Sequence, residues 1–349
     1  MAQQFASDNN AGICPEALET LLRANAEGHA AGYGDDAWTA KASDGLRQLF
    51  ETDCEVFFVF NGTAANALAL AQLARPYHAI IAHRLSHIEE DEAGAPGYLS
   101  GGAKIVALDL PLAKLTPAAV RAAAGAGRGV HHVKPRVLSL TEATELGTIY
   151  DVDEVRALSE AAHGCDLKVH MDGARFANAL AQLGHTPAAL SWRAGVDVLC
   201  FGGVKNGLGY GEAVLFFDKE LAKEFEWRVK QTGHLNSKMR LMTAPWVGLL
   251  ANDVWLKNAR HANAMAQRLA QGIVRVKGTR LLAPVQSNGV FVELSPAVQT
   301  RLRDKGWRFY TFLGEAGCRL MCAWDTTEET VDRFTAELAA AALACGRNP

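Results

Sequence analysis

The chain has 349 residues, of which 49% are hydrophobic and 21% charged, and its formal net charge is −3. This is the composition of a globular protein, long enough for about two domains of ~150 residues each. The sequence has no long basic run and no apolar stretch near the ~18 residues that span a bilayer, which disfavours nucleic acid and membranes as partners.

Strand-like and helical segments alternate through the first part of the chain. After fifty polar, turn-rich residues, the apolar strand EVFFVF runs directly into the helical segment NGTAANALALAQLA. Strands AIIAH and KIVALD follow, and a helix capped by Thr116 comes after them. Four more strands, separated by a helical segment or a turn, are RVLSLT, LKVHMD, DVLCFGG and AVLFF. This alternation predicts an α/β fold, with a mainly parallel sheet covered by helices on both faces.

The last part of the chain has a different pattern. A long helical stretch from Pro245 to about Ile273 carries the chain out of the sheet, and the remainder is typical of a smaller α+β domain that ends in a helix from Thr327. We therefore expect a large domain over residues 1–250, which includes an N-terminal arm, and a small C-terminal α+β domain over residues 251–349.

Two of the predicted strands lead to an acid and a lysine. LKVHMD ends on Asp172, and DVLCFGG is followed by Lys205. Ligands in open α/β sheets bind beyond the carboxyl ends of the strands, so both side chains would reach one crevice. Pyridoxal 5'-phosphate chemistry needs both groups, a lysine for the Schiff base and an acid that keeps the pyridine nitrogen protonated. The plainer alternatives are a salt bridge, a surface lysine, an acid that caps the next helix, and Arg175 as a buried partner of Asp172.

The turn between EVFFVF and the helix after it is a candidate phosphate site. The amides of Gly62, Thr63 and Ala64 would point outward from a helix N-terminus, with the Thr63 hydroxyl beside them. No lysine of the Walker type follows, which disfavours a nucleoside triphosphate. The glycines GLGYG after Lys205 resemble part of a dinucleotide fingerprint, but they precede a strand rather than a helix, so that interpretation fails.

Histidines and acids crowd the segment from His83 to Glu92. A metal site is one interpretation, because His83 and His87 are four residues apart, but no second cluster completes a ligand set, and we expect no metal. The alternatives are a histidine on the face of a ligand ring and a solvated acidic loop. A serine hydrolase is also disfavoured, because the sequence contains no Gly-x-Ser-x-Gly elbow.

The N-terminus and the cysteines bear on the compartment. The polar N-terminal segment has no apolar region of a secretory signal. The seven cysteines are odd in number and scattered, and the two nearest neighbours, Cys318 and Cys322, lie within a strand-like segment. These features predict reduced thiols in a cytoplasmic protein rather than a disulfide framework.

Together these motifs resemble those of fold-type-I pyridoxal-phosphate enzymes, and most of all the low-specificity L-threonine aldolases, in the bacterial branch that includes phenylserine-cleaving members. The ordered motifs that carry the resemblance cover essentially the whole chain and are FASDN, YGDD, FNGTAAN, H-x-x-x-D-E-x-G-A-P, TEATELGTIY, HMDGARF, CFGGVKNG, SKMR, APWVGLL, GWRFYTF and CRLMCAWDT. The resemblance implies a mainly parallel sheet of the seven-stranded type and a small C-terminal domain. It also implies pyridoxal 5'-phosphate as cofactor and cleavage of threonine, phenylserine or similar amino acids to glycine and an aldehyde.

The resemblance also implies roles for individual residues. Lys205 would carry the cofactor, Asp172 would pair with its ring nitrogen and His87 would stack on its ring. The implied cofactor-binding residues are Gly62, Thr63, His87, Asp172, Arg175, Lys205 and Arg240. The implied substrate-binding residues are Ser7, Tyr33, Arg175 and Arg319, and an arginine fork suits the substrate carboxylate. Tyr33 and Arg240 would complete the neighbouring subunit's site in a homodimer, two of which form a tetramer.

One departure from the family pattern concerns the base that takes the proton from the substrate hydroxyl. Other branches carry a histidine after the strand RVLSL, where this chain has Glu145 in TEATELG. His87, Glu145 or a water could therefore serve as the base. Two further functions stay open on the sequence alone. One is a β-eliminating or aminotransferase reaction on the same fold, and the other is a non-enzymatic α/β protein that binds a small phosphorylated ligand.

Overall fold

A computed structural model describes residues 4–127 and 129–345 of the chain. Its main feature is a seven-stranded sheet in the order β1-β7-β6-β5-β4-β2-β3. Strand β7 runs opposite to the other six strands of this sheet, so the sheet is mainly parallel and the predicted fold class is confirmed. The strands are β1 (Glu55–Val59), β2 (His78–His83), β3 (Lys104–Leu108), β4 (Lys134–Thr141), β5 (Lys168–Gly173), β6 (Val198–Phe201) and β7 (Glu212–Phe216).

Helices cover both faces of this sheet. One face packs in a cluster that contains Leu68, Ile80 and Phe216, and the other in a cluster that contains Met171 and Trp246. The helices are α1 (Pro15–Ala26), α2 (Ala37–Leu49), α3 (Gly62–Leu73), α4 (His87–Glu90), α5 (Ala95–Leu99), α6 (Pro117–Gly125), α7 (Val152–His163), α8 (Phe176–Leu183), α9 (Pro187–Leu190), α10 (Phe225–Gln231), α11 (Met239–Leu250), α12 (Val254–Ile273), α13 (Pro296–Asp304) and α14 (Glu328–Cys345). The predicted cap of α6 is confirmed, since the Thr116 side chain accepts a hydrogen bond from the Ala119 N–H.

The helical stretch predicted from Pro245 to Ile273 is two helices instead of one. Helix α11 begins earlier than predicted, at Met239, and contains Pro245. The helical conformation is interrupted between α11 and α12 because Asn252 and Asp253 adopt left-handed conformations, with φ angles of 51° and 57°. Hydrophobic periodicity continues across this turn, so the break could not be recognised from the apolar pattern.

The last part of the chain forms a second, antiparallel sheet in the order β10-β11-β9-β8. Its strands are β8 (Arg280–Leu281), β9 (Gly289–Glu293), β10 (Tyr310–Leu313) and β11 (Gly317–Met321). The N-terminal arm packs into the core of this sheet and its helices, where the Phe5 ring lies 5.7 Å from Trp307 and 5.1 Å from Phe334. Helix α12 contributes to both cores, and the division at residues 250 and 251 remains a proposal. No helix of the described ranges has the length and apolar character to cross a membrane.

Candidate active site

A cavity of about 160 Å³ lies at the carboxyl ends of β4, β5 and β6, between the two sheets. Parallel strands place their carboxyl ends at one edge, so residues that are far apart in sequence meet there. Eight of the residues singled out from the sequence line this cavity, and they are Ser7, Gly62, His87, Glu145, Asp172, Arg175, Lys205 and Arg319.

Lys205 lies in a tight turn directly after β6. Gly202 and Gly203 allow this turn, because a Cβ on Gly202 would lie 2.6 Å from the Ala174 carbonyl oxygen and one on Gly203 2.5 Å from Leu208. The buried Glu212 carboxylate holds the turn, since Oε2 accepts the Gly203 N–H at 2.6 Å. Burial lowers the pKa of Lys205, and the nearby charge of Arg175 lowers it further. Both effects favour a neutral amine, which is the nucleophilic form.

Asp172 lies near the end of β5 and is 4% exposed. Its Oδ1 accepts the Ala174 N–H at 3.0 Å, and its Oδ2 accepts the Asn66 side-chain amide at 2.9 Å. Burial alone would raise the pKa of Asp172, but the charges of His87 and Lys205 and these hydrogen bonds outweigh burial and hold it below its ordinary value. Asp172 is thus a buried carboxylate that stays ionised, as a partner for a cationic ring nitrogen must be.

The turn before α3 leaves two amides free, rather than the three expected from the sequence. The N-cap Asn61 accepts the Ala64 N–H through its side chain at 2.9 Å, so the Ala64 amide is not available to a phosphate and the prediction that it contributes to the phosphate site is wrong. The amides of Gly62 and Thr63 lie in the first turn, where no intrahelical carbonyl is available. A Cβ on Gly62 would meet no atom within 4 Å, so the space beside this turn is open to a ligand.

His87 and Glu145 meet at the edge of the cavity. Glu145 Oε1 accepts the backbone N–H of His87 at 2.9 Å, while Oε2 is buried without a partner among the described residues. Burial raises the pKa of Glu145 to about 7, and the charge of Asp172 contributes in the same direction. Glu145 is therefore a carboxyl group that can both take and release a proton near neutral pH.

Arg175 pairs with Asp8, and not with Asp172. Its Nε and Nη2 donate to the two carboxylate oxygens of Asp8 at 2.7 and 2.9 Å, and Asn288 also donates to Asp8 at 2.9 Å. Asp8 thereby joins the N-terminal arm to the first sheet through Arg175 and to the second sheet through Asn288. Burial would raise the pKa of Asp8, but the charge and hydrogen bonds of Arg175 lower it to about 2. Asp8 was not recognised from the sequence, although it lies in the FASDN motif beside Ser7.

Arg319 presents a freer guanidinium group to the cavity than Arg175 does. It comes from β11, and its charge lies 5.2 Å from the Tyr310 ring centroid and 5.3 Å from that of Phe312. Its Nη2 lies 3.4 Å from the Ala6 carbonyl oxygen, and its Nε is buried without a partner in the described part of the chain. Burial lowers the pKa of Arg319, followed by the charge of Arg175. An anionic ligand in the cavity would compensate both effects.

Three predicted site residues do not line the cavity of their own chain. Thr63 follows Gly62 at the start of α3 and is half-buried. Tyr33 is 53% exposed, with the Lys230 ammonium 4.7 Å from its ring centroid. Arg240 donates to the Gly28 carbonyl oxygen at 2.8 Å, and its Nε is buried without a partner in the ranges described.

The histidines and cysteines considered as metal ligands have other contacts. Both ring nitrogens of His83 are used, one at 2.9 Å from the Leu110 carbonyl oxygen and the other as acceptor for the Leu85 N–H. Cys318 and Cys322 are buried free thiols. Within residues 4–127 and 129–345, no three histidine, cysteine or acidic side chains form a group that could hold a metal ion.

Comparisons with known proteins place this fold and cavity in a family. The chain matches the model of the beta-eliminating lyase family over residues 4–296 and belongs to that family. The protein is therefore an enzyme of the lyase class, as predicted.

Several of its relatives are threonine aldolases. It is 55% identical to the low specificity L-threonine aldolase of Pseudomonas aeruginosa, over 96% of this chain and 97% of that protein. It is 52% identical to the enzyme of the same name from a Pseudomonas species, over 97% and 98% of the two chains. The solved structure of Leishmania major threonine aldolase superimposes with a TM-score of 0.91 at 30% identity, over 97% of this chain and 99% of that one. The resemblance expected from the motifs is confirmed.

Proposed function

We propose that the protein cleaves L-threonine, L-allo-threonine and related β-hydroxy-α-amino acids such as phenylserine to glycine and an aldehyde. Family membership confirms the predicted lyase activity of threonine aldolase type and the predicted cofactor, pyridoxal 5'-phosphate. The observation that carries the proposal for this chain is the cavity shared by Lys205, Asp172, Arg319 and Glu145, in which Nε of Arg319 and Oε2 of Glu145 have no partner in the described part of the chain.

The cavity offers a matching group for each part of the cofactor. The free amides of Gly62 and Thr63 suit its phosphate, and the ionised Asp172 suits its ring nitrogen. Lys205 would supply the amine that holds the cofactor, and the ring of His87 would be available for stacking. When bound, the cofactor supplies an electron-accepting ring that stabilises the negative charge left by bond cleavage.

The chain's own residues would orient the substrate and move its protons. Arg319 would bind the substrate carboxylate through Nε, which is buried and has no partner within the described ranges, and Ser7 lines the same cavity. Arg175 would contribute its remaining Nη1, because its other nitrogens hold Asp8. A carboxylate held in this way would fix the orientation of the substrate in the cavity, and that orientation would select the bond that breaks.

Glu145 is the proposed base for the substrate hydroxyl. Its Oε1 accepts the His87 N–H, and its Oε2 has no hydrogen-bond partner among the described residues, so one oxygen is available to accept a proton. A base works best when its pKa lies near the working pH, and the pKa of Glu145 is raised to about 7.

Glu145→Gln is therefore expected to lower kcat/KM for L-threonine by about 10²-fold or more, the usual effect of losing a general base. Because Glu145 acts only when deprotonated, wild-type kcat/KM should rise with pH through about 7, and the variant should lose that rise. Steady-state kinetics between pH ~5 and ~9 measure both effects. Glu160→Gln, an exposed acid on α7, is the matched control. A pH-dependent rise that persists in Glu145→Gln would assign the proton transfer to His87 instead.

The reaction itself is tested by product analysis. Incubation with L-threonine, L-allo-threonine, phenylserine and their D-forms should yield glycine and the corresponding aldehyde from the L-forms. The family name makes β-elimination the specific competitor, and it would give ammonia and a keto acid without glycine. Detection of those products in place of glycine would exclude the proposed function.

The positions of Tyr33 and Arg240 support a homodimer. Both lie outside the cavity of their own chain, and the neighbouring Phe60 is 57% exposed. A second copy of the chain would use this surface, and Tyr33 and Arg240 would then act in that copy's site, with the tetramer as a pair of such dimers. The mass in solution measured by light scattering checks this state. The seven free cysteines support a cytoplasmic enzyme.

A further inference from the structure

A chain of hydrogen bonds joins His87 to Asp172 through Glu92 and Asn66, two side chains to which the proposed reaction assigns no role. His87 Nδ1 lies 2.8 Å from Oε1 of Glu92, whose side chain is fully buried. The same oxygen accepts the Asn66 side-chain amide at 2.9 Å, and that amide nitrogen also donates to Asp172 at 2.9 Å. Four side chains from three separate segments therefore connect the histidine beside the cavity to the acid at its base.

The elements of the fold explain why these side chains meet. Asn66 lies one helical turn after Gly62 on α3, so the helix that presents free amides at its start also points Asn66 toward the cavity. His87 begins the short helix α4, and Glu92 follows its end and turns back beneath the imidazole. The spacing His87-x-x-x-x-Glu92 is part of the sequence, but the sequence does not show that the two side chains are paired.

The hydrogen positions follow from the chemistry of the partners. The end of the Asn66 amide between two carboxylates must be its NH₂ group, because an amide oxygen there would face two acceptors. Both hydrogens of that group are thus committed, one to Glu92 and one to Asp172. Imidazole is a stronger base than a carboxylate, so the proton shared by His87 and Glu92 resides on Nδ1. The other ring nitrogen, Nε2, has no protein partner in the described ranges and is free for a group in the cavity.

Two oxygens in this network are buried without a partner in the described part of the chain, Oε2 of Glu92 and Oδ1 of Asn66. Unsatisfied buried oxygens destabilise the folded state, so a core built only for stability would favour apolar side chains here. Core stability alone therefore does not explain why polar side chains occupy these buried positions.

We propose that Glu92 and Asn66 are positioning residues, in which Glu92 accepts the hydrogen bond from Nδ1–H of His87 and Asn66 joins Glu92 to Asp172. The proposal rests on the function given above, in which His87 stacks on the cofactor ring. Glu92 fixes the rotation and the tautomer of the imidazole, so its face and Nε2 are presented to the cavity in one orientation. Asn66 makes the positions of His87 and Asp172 depend on each other.

The charges that face His87 give this arrangement a measurable consequence. They come from Glu92, Asp172 and Lys205, and Glu145 accepts the backbone N–H of His87. The hydrogen bond to Glu92 raises the pKa of His87 above its ordinary value, burial opposes that effect, and Asp172 supports it. Removal of the negative charge of Glu92 should therefore lower the pKa of His87.

The test uses holoenzyme labelled with ¹⁵N-histidine, in which NMR reports the tautomer and the pKa of His87; the signal is assigned with a His87→Asn variant. Wild-type enzyme should show hydrogen on Nδ1 of the neutral ring. In Glu92→Gln, which keeps the shape and loses the charge, the pKa of His87 should fall by about one unit or more. Glu89→Gln removes an exposed charge from the same segment and should leave the pKa unchanged.

Glu92→Asp provides a second variant if Glu92→Gln does not fold, because the shorter side chain draws the carboxylate away from Nδ1 and should lower the pKa in the same direction. An unchanged tautomer and pKa of His87 in either folded variant would overturn the proposal. The NMR measurement requires no turnover, so a failure to cleave β-hydroxy-α-amino acids would refute the proposed function and leave this result interpretable.

Discussion

Lys205→Ala is expected to abolish the visible absorption of the bound cofactor and to lower kcat for L-threonine by at least ~10³-fold. Among the residues that the structure describes, Lys205 is the one lysine that lines the cavity, and its turn is fixed by Gly202, Gly203 and the Glu212 carboxylate. Alanine removes the amine without disturbing those backbone contacts. The loss should therefore appear in the absorption spectrum and the rate, while the thermal unfolding temperature changes little.

The matched control is Lys257→Ala, because Lys257 is an exposed lysine on α12. It should retain both the absorption and the rate. If Lys205→Ala kept the absorption band and most of its turnover, another amine would have to hold the cofactor and the assignment of Lys205 would be wrong.

Asp172→Asn is expected to lower kcat by about 10²-fold or more, while part of the cofactor stays bound. Asparagine has nearly the same shape but no charge, so it cannot stabilise a protonated ring nitrogen. The hydrogen bond from the Ala174 N–H can persist, but the Asn66 amide now faces another amide in place of a carboxylate. Cofactor occupancy read from the absorption spectrum, together with kcat for L-threonine, separates the loss of chemistry from the loss of binding.

Near-normal turnover by Asp172→Asn would show that the charge at this position does not serve the reaction. The wild-type enzyme provides an internal check through pH. Because the pKa of Asp172 lies below its ordinary value, this carboxylate stays ionised as pH falls to mildly acidic values. A change of rate near pH ~7 should therefore come from the titration of Glu145 or His87 and not from Asp172.

The two arginines of the site have different environments, although the sequence gives no reason to distinguish them. The ion pair with Asp8 occupies two nitrogens of Arg175, and the remaining contact of Asp8 is to Asn288 near the second sheet. The Nε of Arg319 is buried and has no partner in the part of the chain that the structure describes, and its guanidinium group lies against two aromatic rings. Arg175 therefore holds the arm and the two sheets together at the cavity, and Arg319 is the better placed group for a substrate carboxylate.

The sequence by itself determined the main sheet and the carboxyl ends of the two strands on which the site depends. Apolar runs of strand length that alternate with helical segments are local patterns, and local patterns place Asp172 and Lys205 at the carboxyl edge of a parallel sheet. The same is true of α3, whose start at Gly62 follows from its cap and its small apolar residues. The ordered motifs then identified the family.

Only the tertiary structure decided which polar groups are paired and which are free. Asp8 lies 167 positions from Arg175, and Asn66 lies 106 positions from Asp172, so neither pair leaves a periodic signal. The raised pKa of Glu145 depends on burial, and burial depends on how the loop after β4 packs against α4. Hydrogen bonds and desolvation act between groups that folding brings together, whereas sequence periodicity reports only which face of each element is apolar.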